Sequence, residues 1–229
     1  MKVGIVVFPG SNCERDAEDA VRLYLKEEAV FLWHQEADLK GVEAVILPGG
    51  FSYGDYLRSG AISRFSPVMK SISEFAVQGR PVIGICNGFQ ALTESHLLPG
   101  ALVKNTQLSF LCDRVDLIVE NSQTPFSHAY QPRQTISLPV AHGEGNYVAD
   151  PKVIEELEAN NQVVFRYAED VNGSVNRIAG ICNKQGNVLG MMPHPERNLW
   201  PSEAWSGDGA GVFDSLKTAL SQGLQTVAG

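Results

Sequence analysis

The chain has no cluster of basic residues. Across its 229 positions Lys and Arg total 18 against 26 Asp and Glu, for a net charge of -8. Nucleic acid and anionic membranes both select clustered positive charge, so neither is an expected partner. No apolar run approaches the ~18 residues that a transmembrane helix needs. The short apolar segment at residues 3–8 is followed almost at once by Glu14, Arg15 and Asp16, which argues against a secretory signal. Cysteine is scarce: Cys13, Cys86, Cys112 and Cys182 form no C-x-x-C, which makes a zinc ribbon or a redox pair an unsuitable reading. Without an export signal a disulfide framework is not expected either, and Asn172-Gly173-Ser174 reads as a turn, not a glycan site. A cytoplasmic chain is the expectation. Neither G-x-x-x-x-G-K-[ST] nor G-x-G-x-x-G occurs, and Gly207-Asp208-Gly209-Ala210-Gly211 has the wrong spacing for either. The sequence therefore offers no phosphate cradle, and neither a cofactor nor a metal is expected on this chain.

What is present is a globular composition, with 44% apolar and 19% charged residues. Length and the absence of a linker or repeat predict one domain over residues 1–229, with 223–229 as a frayed tail. Strands are predicted at residues 3–8, 29–33, 44–47 and 82–85, and helices at 67–77 and 88–95. Residues 11–14 fit a capping box that opens a first helix. Ser66 is placed to cap the helix at 67–77. This alternation predicts an α/β fold with a parallel sheet and helices on both faces. Strands at residues 115–120, 135–141, 163–168, 177–182 and 188–192, with helices at 151–159 and 211–222, predict a mixed sheet towards the end.

The strongest local signal is Gly84-Ile85-Cys86-Asn87-Gly88, where an apolar strand runs straight into a helix. This is the thiol form of a nucleophile elbow, in which a sharp turn projects the nucleophile and small neighbours admit substrate. A helix N-terminus also favours the thiolate. A lone cysteine is more often buried core, and that reading holds for Cys13, Cys112 and Cys182, which lack the frame.

A nucleophilic thiol needs a base. Of His34, His96, His128, His142 and His194, the last stands in Pro193-His194-Pro195-Glu196. If the prolines hold this segment extended, Glu196 shares a face with His194 and can fix its tautomer. The rival pair is His142 and Glu144, in a glycine-flanked segment expected to be a mobile loop and so a poorer base. A third element, Leu47-Pro48-Gly49-Gly50-Phe51-Ser52-Tyr53-Gly54-Asp55, ends a strand in paired glycines. Its free N–H groups, with that of Asn87, would suit an oxyanion hole, although Gly-Gly also suits an ordinary turn.

Together these elements resemble the two signatures of the class I (triad) glutamine amidotransferases. The resemblance implies a flavodoxin-like three-layer α/β sandwich with a mostly parallel central sheet. It also implies Cys86 as nucleophile, His194 as base, Glu196 as its orienting carboxylate, Gly50 and Asn87 at the oxyanion hole, and Gln90 and Phe51 at the glutamine site. Pro9-Gly10-Ser11-Asn12-Cys13, Gly49-Gly50-Phe51-Ser52-Tyr53-Gly54-Asp55, His142-Gly143-Glu144-Gly145 and Met192-Pro193-His194-Pro195-Glu196-Arg197 resemble one subfamily over nearly the whole chain. That subfamily comprises the glutaminase subunits of phosphoribosylformylglycinamidine synthase. The partners implied are a large synthetase subunit, which would carry ATP and Mg, and a small accessory subunit. Asp113 stands where a basic residue is expected. His142 and Glu144 carry no catalytic duty in this reading and are expected at an interface. A stand-alone cysteine hydrolase of the same fold is the alternative.

Overall fold

The computed structural model describes residues 1–55, 58 and 60–223; of the expected tail at 223–229, residues 224–229 lie outside them. In chain order the strands are β1 (Lys2–Val7), β2 (Glu28–Trp33), β3 (Ala44–Leu47), β4 (Val82–Ile85), β5 (Ala101–Val103), β6 (Leu111–Val119), β7 (Thr135–His142), β8 (Asn146–Val148), β9 (Val163–Tyr167), β10 (Ile178–Cys182) and β11 (Val188–Met191). The α-helices are α1 (Glu14–Asp19), α2 (Pro67–Val77), α3 (Asn87–Glu94), α4 (Pro151–Ala159) and α5 (Ala210–Ser221). Among the described residues no helix is long and apolar enough to cross a membrane.

Nine strands form one sheet in the order β2-β1-β3-β4-β11-β10-β9-β6-β7, and β5 pairs with β8 in a small second sheet. The first five are mutually parallel, and β11, late in the chain, pairs with β4. The next four run antiparallel to their neighbours. The strand patterns explain the division. β3, β4 and β11 are buried at every position, as strands covered on both faces must be. β7 instead alternates, burying Ile136, Leu138, Val140 and His142 on one face.

Helix α2 begins with Pro67 at its first position, after Ser66 in extended conformation. It buries Val68, Met69, Ile72, Phe75 and Ala76, which share one helical face. Gly79, at φ +79°, turns the chain out beyond the helix. Asp150 caps α4 by accepting the Lys152 N–H. The expected capping box at residues 11–14 does not form. Cys13, not Ser11, stands at the head of α1, and the Ser11 hydroxyl is taken by the Phe8 backbone. Asn172-Gly173-Ser174 is a turn as expected, with Asn172 fully buried and Gly173 at φ +87°.

Helix α3 is buried along its whole length, wedged against β3, β4 and β11. Two glycines permit that approach. A Cβ on Gly84 would lie 2.6 Å from the Gly88 carbonyl, and one on Gly88 would overlap the Leu47 carbonyl. The elbow's glycines therefore let helix and strands touch backbone to backbone.

Candidate active site

Cys86 stands between β4 and α3 with φ 52° and ψ -107°, a conformation that only a well-braced non-glycine residue keeps. The bracing is visible. Its N–H donates to the Met191 carbonyl at 2.8 Å, and its own carbonyl accepts from Gln90 N at 3.2 Å. The sulfur faces the Ala141 carbonyl at 3.7 Å and is only 5% exposed.

His194 lies opposite, 1% exposed, with its backbone N–H on the Pro139 carbonyl of β7. Its Nδ1 meets Glu196 Oε1 at 2.6 Å. The route to that contact differs from the expected one. Pro195–Arg197 forms a 3-10 turn headed by His194, so the carboxylate curls back onto the ring and does not run beside it along an extended chain. Proline suits the first position of such a turn as well as it suits an extended segment.

Nε2 of His194 is buried without a hydrogen bond of ordinary geometry. The thiol of Cys86 nevertheless stands close enough to act on the ring. Burial alone would suppress charge on this imidazole, but Glu196 and the Cys86 sulfur outweigh it and raise its basicity well above the ordinary value. Gly49 fills the gap between the two side chains. A Cβ there would lie 2.7 Å from His194 Cε1 and 3.4 Å from Cys86 Cβ. Any larger residue would push the imidazole out of place.

Gly50 follows at φ 128°, where a side chain would collide with Asn12. The Asn87 side chain ties this loop to α3: Oδ1 accepts from Ser52 N at 3.1 Å, and Nδ2 donates to Asp55 Oδ1 at 3.2 Å and Gln90 Oε1 at 2.8 Å. Gln90 in turn donates to the Glu144 carbonyl at 2.7 Å. Cys86, His194, Glu196, Gly50, Asn87 and Gln90 thus converge at the carboxyl ends of the parallel strands, where open α/β sheets bind ligands. Phe51 sits on the same loop but turns outward, 46% exposed.

The expectation of a loop at His142 is corrected. It is the last inward residue of β7 and 3% exposed. Its Nδ1 meets Oδ1 of the fully buried Asn105 at 3.1 Å. Burial, helped by the charge on His194, lowers its pKa to about 4. Glu144 is half-buried and contributes its backbone to Gln90. Cys13 also lies nearer the site than expected: Arg197 Nη2 donates to its sulfur at 3.0 Å. Burial pushes that thiol up to about 12, against the pull of Arg197, so it stays protonated as an inert core cysteine should.

Sequence reasoning missed the Asn87 cross-link, the Ala141 carbonyl and the spacing role of Gly49. The alternation of Thr135–His142 was a usable signal, since it places His142 on the inward face. A cavity of about 820 Å³ lies elsewhere. Its lining includes the Asn183–Gly186 turn before β11, at the opposite end of the sheet from Cys86. The clustered titratable groups mark the chemistry, and that groove does not.

Comparison with known proteins bears on this cluster. Residues 1–212 match the family model of the CobB/CobQ-like glutamine amidotransferase domain. The chain is 53% identical over 234 residues to phosphoribosylformylglycinamidine synthase subunit PurQ of Acaryochloris marina, covering 98% of this chain and 99% of that protein. The chain belongs to the PurQ family of glutamine amidotransferases. The PurQ subunit of Chlorobaculum parvum is 56% identical over 227 residues, with 94% of this chain and 89% of that protein covered. A chain in the structure of PurLQS from Thermotoga maritima superposes with a TM-score of 0.88 at 44% identity, covering 96% of this chain and 98% of that one. Similarity to PurQ proteins therefore spans both ends of the site, from the Pro9 loop to Arg197.

Proposed function

We propose that this chain is the glutaminase subunit of a phosphoribosylformylglycinamidine synthase, releasing ammonia from glutamine for a partner synthetase. The observation that carries the reading is the Cys86–His194–Glu196 arrangement, with Gly49 holding room between thiol and ring. The Cys86 sulfur attacks the side-chain amide carbon of glutamine, and the N–H groups of Gly50 and Asn87 hold the oxyanion that forms. A cationic His194 beside the sulfur is the partner a thiolate needs, and Glu196 sustains that charge. His194 gives its proton to the departing ammonia, leaving a glutamyl thioester on Cys86. The neutral ring then takes a proton from water, whose oxygen attacks the thioester and frees glutamate and the thiol. Gln90 flanks the substrate.

Relatives named as synthase subunits, and a structural neighbour solved in PurLQS, support a large synthetase partner and a small accessory one. ATP and Mg are assigned to the large partner, which joins the ammonia to formylglycinamide ribonucleotide. The proposed site of action of the complex is the cytoplasm. The test is Cys86→Ala in the assembled complex. Glutamine-dependent synthesis should fall to background while high ammonium restores it. Failure of ammonium to rescue an intact complex would overturn the division of labour.

A further inference from the structure

The Gly50 loop is held in a conformation its own sequence does not favour. After Gly50 at φ 128°, Tyr53, Gly54 and Asp55 take φ 54°, 68° and 53°. Two of these three consecutive left-handed residues carry a side chain, and such runs persist only where neighbours over-determine them. Asn87 braces the loop from the side of the reacting groups.

The second brace lies on the far side. The Tyr53 hydroxyl sits 2.6 Å from His34 Nδ1 and 2.8 Å from Ser66 Oγ. Its ring meets Phe8 at 6.2 Å between centroids and meets His34 edge-on at 5.5 Å. Both partners are buried and fixed by the framework. His34 follows β2 directly, with its N–H on the Val7 carbonyl, and its own carbonyl accepts the Val68 N–H of α2. Ser66 is the residue before α2, and its hydroxyl serves Tyr53 and makes no capping bond. Either tautomer of His34 completes the chain, because Tyr53 can donate to the ring and accept from Ser66 or do the reverse.

We propose that Tyr53 and His34 are positioning residues for the oxyanion site: the phenol, clamped by His34 and Ser66, locks the left-handed turn that aims the Gly50 N–H. This deepens the proposed function and rests on it. An N–H used only against the developing oxyanion affects turnover and leaves ground-state binding alone. Alkylation of Cys86 by chloroacetamide provides the contrast, since the sulfur displaces chloride at a saturated carbon and no oxyanion builds.

The experiment uses Tyr53→Phe in the full chain with its synthetase partner. We expect kcat for glutamine hydrolysis to fall about tenfold, less than the 10²–10³ for losing an oxyanion donor outright. KM, and the rate of Cys86 alkylation followed by mass spectrometry, should stay within about twofold. Ser66→Ala, which removes one partner and leaves the phenol, should give a smaller loss of the same pattern and serves if Tyr53→Phe does not fold. His34→Gln should retain more turnover than His34→Ala. Unchanged kcat in Tyr53→Phe, or equal losses in hydrolysis and alkylation, would overturn the proposal. Hydrolysis that survives Cys86→Ala would instead overturn the underlying glutaminase reading.

Discussion

The two halves of the large sheet contribute differently to the site. The parallel half delivers the groups proposed to react: Cys86 follows β4, Gly49 and Gly50 follow β3, and His194 follows β11 within three residues. The antiparallel half delivers backbone acceptors and a wall. Pro139 O anchors the His194 backbone and Ala141 O faces the Cys86 sulfur, both from β7. Parallel strands that end together leave a shared crevice for side chains from several loops. An antiparallel pair returns at each end through its own turn, so it shapes a boundary more readily than it gathers a reacting cluster.

That contrast can be broken or sharpened by experiment. The largest expected effect is at the joint between the halves. His194→Ala should slow glutamine hydrolysis by about 10² or more, the usual contribution of a positioned base. His142→Ala, in the antiparallel arm, should cost far less; a reversed ranking in steady-state assays would move the base into the arm. Backbone packing comes next. Gly88→Ala drives a methyl into the Leu47 carbonyl and should lower stability by roughly 2 kcal/mol in urea unfolding. Gly143→Ala meets only Phe110, at 3.8 Å, and should stay within about 0.5 kcal/mol.

The smallest effect at neutral pH belongs to the buried imidazole of the arm. His142 binds its proton near pH 4 in the native state and near its ordinary 6.5 when unfolded. Its contribution is therefore whole above pH 6.5 and is lost as pH falls towards 4, by roughly 3 kcal/mol at most. His142→Gln should flatten the acid limb of the stability profile. Urea midpoints at pH 7 and pH 4.5 that shift equally in both proteins would contradict this.

Much of the parallel half was legible in the sequence because continuous apolar runs admit few alternatives. The helix at 67–77 and the strands at 44–47 and 82–85 have the expected limits. The elbow was legible through its glycines, whose spacing reflects the contact of α3 with β3. The antiparallel half was less so. β6 begins at Leu111, four residues before the expected start, because Cys112, Asp113 and Arg114 are all exposed and carry no alternation to read. The three-residue strands β5 and β8 went unseen, since each is too short to establish a period. Local chemistry misled in different ways. The Ser11 hydroxyl turns back to the Phe8 backbone three residues before it, Ser66 stands at the head of α2 as expected but gives its hydroxyl to Tyr53, and the 3-10 turn at Pro195 depends on anchors at β7 and α1 that lie far away in sequence.

The position of β11 has a consequence for how the molecule is made. This strand emerges late from the ribosome yet lies between β4 and β10, and the sheet's other eight strands, four on each side of it, all precede residue 188. Until then β4 presents a bare row of peptide groups, the kind of edge that recruits other chains. The same late insertion supplies the Met191 carbonyl that seats the Cys86 backbone. A nascent chain halted before this strand would hold an unguarded edge and an unset nucleophile together, so protection from aggregation and competence for chemistry would be acquired in a single step.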